Sequence, residues 1–115
     1  MKKVLLVEDN PDNADLVLAY LDDLYDIHIC EDGFSALNLL KQDAYQPDLV
    51  LCDISLPGMD GVQLLAEIRK LQGFQSLPVI ALTSHAMKGD QEHFLSAGFD
   101  DYIGKPILDD DSLIQ

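Results

Sequence analysis

The chain has 115 residues, of which 48% are hydrophobic, enough for one compact domain and too few for two. Its formal charge of −14 and isoelectric point near 4.1 argue against nucleic acid or an anionic membrane as a direct partner, since either would repel it. A basic face on another protein, or a divalent cation, suits it better, although acidity also serves plain solubility. Cys30 and Cys52 are the only cysteines and fall in or at the end of apolar stretches. With no Cys-x-x-Cys or Cys/His ligand spacing, they read as small buried residues of a reducing compartment. No apolar segment reaches membrane-spanning length, and Met1-Lys2-Lys3 leads into a strand pattern rather than a signal peptide, so a cytoplasmic location is expected.

In chain order, short apolar runs at 3 to 7, 26 to 30, 48 to 52, 78 to 82 and 100 to 103 predict strands. Between them lie stretches with helical spacing. Asn10-Pro11 supplies an N-cap and a first-turn proline for a helix in which Leu16, Ala19, Tyr20 and Leu24 share a face. A second helix is predicted from about Gly33 to Asp43 through Ala36, Leu37 and Leu40. A third follows Asp60-Gly61 with Leu64, Leu65 and Ile68, and a fourth covers roughly Met87 to Ala97, with Gly98 as its stop.

This alternation predicts an α/β fold with a parallel sheet covered on both faces. The runs at 4 to 7, 49 to 52 and 79 to 82 read as central strands, and Asp26-Ile27-His28-Ile29-Cys30 alternates like an edge. The pattern fits a flavodoxin-like, doubly wound five-stranded sheet of order 2-1-3-4-5. Such folds place their sites beyond the carboxyl ends of the strands, where strands 1 and 3 meet.

The residues at those ends carry the functional signal. Glu8-Asp9 follow Val4 to Val7, Asp53 follows Leu49 to Cys52, Thr83-Ser84 follow Val79 to Leu82, and Lys105-Pro106 follow Tyr102-Ile103. Taken singly, each has a plain reading as a turn residue or helix cap. Taken together, acid, acid, hydroxyl and amine are the inventory of a metal-assisted phosphoryl site. Three carboxylates brought close repel one another unless a cation neutralises them, and Mg²⁺ does so while still binding phosphate oxygens.

The segments Val7-Glu8-Asp9-Asn10, Asp53 to Gly61, Ala81-Leu82-Thr83-Ser84 and Lys105-Pro106 resemble the receiver domain of two-component response regulators, in order and over nearly the whole chain, 1–115. The Ala86 to Asp90 stretch resembles single-domain regulators and the receivers of hybrid sensor kinases. The resemblance implies a signalling phosphoacceptor rather than an enzyme acting on a separate substrate. A phosphoryl group would pass from a phosphohistidine on a histidine kinase or histidine phosphotransfer protein to Asp53, with Mg²⁺ as cofactor. It further implies Asp9, Asp53 and the carbonyl of Ser55 as direct metal ligands, with Glu8 acting through water. Lys105, ahead of a cis Pro106, and Thr83 would meet the phosphoryl oxygens, and Thr83 with Tyr102 would form the switch that alters a protein-binding surface.

His85 and Ser55 would flank the water path to the phosphoryl group and tune its lifetime; His85 reads equally well as a solvated loop residue. His28 and His93 read as structural or exposed. Leu56, where many relatives carry methionine, is a volume-conserving change. After Lys105-Pro106, Asp109-Asp110-Asp111-Ser112 reads as a cap region, so a fifth helix is expected to be short or truncated, exposing apolar surface beside strands 1 and 5. Two other readings stand beside this one. A pseudo-receiver binding partners without phosphorylation is opposed by the intact Glu8, Asp9, Asp53, Thr83 and Lys105. A phosphohydrolase of similar topology is opposed by Ser55, which stands where its second catalytic aspartate would be.

Overall fold

The structure, a computed structural model, describes residues 2–42, 45–54, 56, 58–71, 73–83 and 95–104. Five strands, β1 (Lys3–Val7), β2 (Asp26–Cys30), β3 (Leu49–Asp53), β4 (Val79–Thr83) and β5 (Asp101–Gly104), form one parallel sheet in the order β2-β1-β3-β4-β5. The predicted order and edge strand are therefore both observed. The register sets Val7 beside Cys52 and Asp53 beside Leu82, so β1, β3 and β4 end at nearly one level.

Alternation along the strands divides the core between two faces. Leu5, Val7, Val50, Cys52, Val79 and Ala81 point to one side, against Ala36, Leu37 and Leu40 of α2 (Gly33–Leu40) and Leu64, Leu65 and Ile68 of α3 (Gly61–Lys70). Val4, Leu6, Leu51, Leu82 and Ile103 point to the other, against Ala14, Val17 and Leu21 of α1 (Pro11–Leu21). Burial on both faces is why the central strands read as unbroken apolar runs. Each fully buried leucine or valine among them contributes about 1.5–3 kcal/mol.

Helix starts follow local chemistry. Asn10 Oδ1 accepts hydrogen bonds from the amides of Asp12 (2.8 Å) and Asn13 (3.4 Å), with Pro11 in the first turn of α1 as predicted. Asp32 Oδ1 accepts from Ser35 N at 2.7 Å to start α2. At α3 a full capping box closes, Gln63 N donating to Asp60 Oδ1 (2.8 Å) and Asp60 N to Gln63 Oε1 (3.0 Å).

The buried face of α1 differs from the predicted one. The buried stripe is Ala14, Val17 and Leu21, while Ala19 is exposed and Leu24 is 48% exposed. The expected stripe of Leu16, Ala19, Tyr20 and Leu24 is displaced by one residue, about 100° around the helix. α1 ends at Leu21, leaving Leu24 in the turn beyond it, and the small Ala14 anchors the face that meets the sheet. α2 likewise ends at Leu40, short of the predicted end at Asp43; Asp43 lies outside the described residues, as do 87–94, where most of a fourth helix is predicted, and 105–115, where a short fifth is expected. Residues 95–97 are helical, and Gly98 follows with a φ of +112°, in keeping with its predicted role as a stop.

At the opposite end of the sheet, Arg69 on α3 donates to the carbonyls of Phe74 (3.1 Å) and Leu77 (2.6 Å) and pairs with Asp100 (3.3 Å). Asp100 in turn accepts from Val79 N at 2.8 Å, tying the starts of β4 and β5 to α3.

Tyr45 lines a cavity of about 660 Å³ at that same end, with Leu40, Pro47, Leu71, Phe74 and Leu77, remote from the acidic strand ends. Its hydroxyl is buried with no hydrogen-bond partner among the described residues. Burial, reinforced by Asp26, Cys30 and Asp48, pushes its phenol up to about 12. Because the phenolate is penalised in the folded state, stability is held in full below the ordinary value of 10 and falls as pH rises through 10 toward 12. Tyr45→Phe, which deletes an unsatisfied donor, is expected to leave stability at pH 7 unchanged or raise it by about 1 kcal/mol. Urea unfolding at pH 7 and between pH 9 and 12 should also show a smaller alkaline loss in the variant than in the wild type.

Candidate functional site

Glu8 and Asp9 follow β1, and Asp53 is the last residue of β3, its neighbour in the sheet. One carboxylate oxygen from each can be chosen so that all three lie within 4.8 Å of one another. Glu8 and Asp53 are only 2% and 4% exposed, whereas Asp9 is exposed. The cluster thus has a buried floor and one solvent-facing wall. Hard carboxylate oxygens at this separation fit a small divalent cation, which would offset the repulsion among them.

The backbone around the two buried acids, Glu8 and Asp53, is held by hydrogen bonds. Glu8 N donates to Cys30 O at 3.0 Å, while Asn10 N approaches Glu8 Oε2 at 3.5 Å. Beyond Asp53, Ile54 N donates to Leu82 O and Gly61 N to Ile54 O, each at 3.0 Å. The end of β3 is therefore held by β4 on one side and by the first turn of α3 on the other. A cavity of about 250 Å³ opens beside the cluster, lined by Glu8, Asp9, Pro11, Ala14, Asp15, Ile29 and Glu31.

Cys52 is fully buried next to Asp53, and its thiol donates to Asp53 O at 3.4 Å. Burial, followed by the charges of Asp53, Asp60 and Glu8, pushes that thiol far above its ordinary range, so it stays protonated and unreactive. Burial and then Asp32 raise the Cys30 thiol as well. Both cysteines are buried and free, as the sequence predicts.

Of the remaining predicted site residues, Thr83 ends β4 beside Gly104 of β5, and Tyr102 lies beside Ala81. Tyr102 is half-buried and packs on the same core cluster as Ala81. Ser55, His85, Lys105 and Pro106 lie outside the described residues, as do His93 and the side chain of Thr83. His28 is exposed, its ring 5.6 Å from that of Tyr45. The capping box and the close packing of Gly61 are parts of the site that the sequence reading did not single out. The Asp60-Gly61-Val62-Gln63 spacing is the signal that could have revealed the box.

A sheet of this order with acids converging at the ends of its first and third strands defines the class, and comparison with known proteins agrees. The chain belongs to the response regulator receiver domain family, which matches residues 4–115. It is 43% identical over 109 residues to the sensor protein GacS of Pseudomonas syringae pv. syringae, covering 91% of this chain and 12% of that protein. The signal transduction histidine-protein kinase BarA of Escherichia coli K12 is also 43% identical, over 105 residues that make up 90% of this chain and 11% of BarA. The chain thus spans only about a tenth of these curated relatives. Among solved structures, the receiver domain of sensor histidine kinase PA1611 from Pseudomonas aeruginosa PAO1 superposes with a TM-score of 0.86 at 37% identity, over 98% of this chain and 91% of that one. That structure has a magnesium ion coordinated in its active site cleft. The family is one of signalling phosphoacceptor modules, and among the described residues no helix is long and apolar enough to cross a membrane.

Proposed function

We propose that residues 1–115 form a phosphoacceptor receiver of a two-component phosphorelay, in which Asp53 takes a phosphoryl group from a phosphohistidine. The observation that carries this reading is the convergence of Glu8, Asp9 and Asp53 at the ends of adjacent strands. The magnesium ion in the PA1611 receiver supports the choice of cation. An Asp53 carboxylate oxygen attacks phosphorus in line, the P–N bond to the donor imidazole breaks, and the imidazole leaves with the electron pair and takes up a proton. Asp9, Asp53 and the Ser55 carbonyl would hold Mg²⁺, with Glu8 acting through water. When bound, the cation neutralises charge among the carboxylates and on the phosphoryl oxygens, and positioning supplies most of the remaining catalysis.

Thr83 and Lys105 are assigned to the phosphoryl oxygens on the sequence pattern: Lys105 as a point charge, Thr83 as a hydroxyl donor. Tyr102 is the partner of Thr83 in the switch. Its half-buried position on β5 leaves it able to turn further inward when the β4 end moves. The donor is a histidine kinase or histidine phosphotransfer protein, and the output is a changed protein-binding surface in the cytoplasm. Incubation with Mg²⁺ and a small phosphodonor such as acetyl phosphate should add one phosphoryl group that is stable to acid and labile to base. Intact-mass spectrometry showing no such adduct, or the same adduct without a divalent cation, would sink the reading.

A further inference from the structure

We infer that Gly61 is a positioning residue for Asp53: by lacking a side chain, it lets α3 seat directly on the backbone that carries the acceptor carboxylate. The inference rests on the phosphoacceptor reading and adds a residue to it. A Cβ at Gly61 would lie 2.7 Å from the carbonyl oxygen of Asp53 and 2.9 Å from Ile54 Cα. Both contacts are with backbone, so no side chain can swing aside to relieve them. Neither peptide has freedom to retreat. Asp53 is paired with Leu82 in the sheet, Ile54 N is bonded to Leu82 O, and Gly61 N is itself bonded to Ile54 O. The capping box of Asp60 and Gln63 fixes the other side of the contact by setting where α3 begins. An added methyl must therefore push α3 outward or displace the Asp53 peptide. Displacing the peptide moves its carboxylate away from Glu8 and Asp9, with which it shares the 4.8 Å cluster.

Gly33 provides the contrast. It also opens a helix and is tightly packed, but a Cβ there meets the Met59 thioether, with Sδ nearest at 3.0 Å. The nearest atom belongs to the flexible part of that side chain, which can yield, and Met59 Cβ and Cγ follow at 3.3 Å, contacts that ask for a shift of only a few tenths of an ångström.

The test compares wild type, Gly61→Ala and Gly33→Ala by thermal unfolding, by Mg²⁺ affinity from NMR titration and by phosphorylation rate with acetyl phosphate. Gly61→Ala is expected to bind Mg²⁺ about 10-fold more weakly, the scale for losing support behind a metal ligand. Its phosphorylation rate should also fall about 10-fold or more, as misplacement of a reacting group does. Gly33→Ala should stay within about twofold of wild type in both, since the moving thioether lies outside the cluster. A glycine that is merely structural would lower the melting temperature and leave Mg²⁺ affinity and rate unchanged, and that result overturns the inference. If Gly61→Ala does not fold, Gln63→Ala is the second variant, because it loosens the start of α3 at an exposed position without adding atoms. Weaker Mg²⁺ binding is then expected, and unchanged binding overturns the inference. A wild-type protein that neither binds Mg²⁺ nor accepts phosphate overturns the phosphoacceptor reading as well, so the two failures are distinct.

Discussion

Asp53→Asn is expected to abolish phosphoryl transfer from acetyl phosphate or from a phosphohistidine donor, lowering the rate by roughly 10⁴-fold or more, the scale of removing a nucleophile. The substitution keeps shape and volume, so the buried end of β3 retains its packing and its pairing with β4. What it removes is the anionic oxygen that attacks phosphorus and one of the three charges that make the cluster attractive to a cation. The same change should leave the metal-free fold as stable as wild type or more so, because one of three mutually repelling carboxylates is gone. Loss of transfer with retained stability separates a chemical role from a structural one. Intact-mass spectrometry alongside thermal unfolding reads both quantities, and an adduct of wild-type yield on the variant would place the acceptor elsewhere.

Most of this arrangement can be read from the sequence because strand and site are written in the same residues. Val4 to Val7 and Leu49 to Cys52 are apolar throughout since both sheet faces are covered, and the acids that follow them mark the strand ends. Once the order 2-1-3-4-5 is inferred, Glu8, Asp9 and Asp53 must meet. Asn10-Pro11 and Asp60-Gly61 announce helix starts by chemistry that is local to the chain. The face of α1 is a different kind of quantity, since Leu16, Val17, Leu18 and Tyr20 offer several stripes of similar hydrophobicity. The choice among them is made by Ala14, whose small size matters only against the sheet. The seat of Gly61 on Asp53 is likewise invisible in the sequence. An Asp-Gly pair before a helix needs no closer reading than a cap, and only the three-dimensional approach of α3 to β3 shows that a methyl has no room. Arg69 binds carbonyls 5 and 8 residues ahead of it, a pattern that depends on how the chain after α3 turns back toward β4.

Saturating Mg²⁺ is expected to stabilise the protein, and Asp9 is the residue that should decide how much. A ligand that binds only the folded state at 100 times its dissociation constant adds about 2.7 kcal/mol. For a domain of this size that corresponds to a rise of roughly 10 °C in melting temperature. With a chain of formal charge −14, part of any such rise could come from general screening rather than from a site. Asp9→Asn separates the two contributions. Asp9 is the exposed wall of the cluster, so its substitution disturbs no packing, while the buried Glu8 and Asp53 remain in place. The total charge changes by only one, which leaves generic screening nearly intact. If the cation is held by the converging carboxylates, the Mg²⁺-dependent rise should fall to a small fraction of its wild-type size, and NaCl matched in ionic strength should not reproduce it in either protein. Circular-dichroism melts of both proteins, metal-free and with Mg²⁺ or NaCl, make the comparison. Equal rises in the two proteins would assign the effect to the acidic surface as a whole and would remove the metal from the proposed role of Asp53.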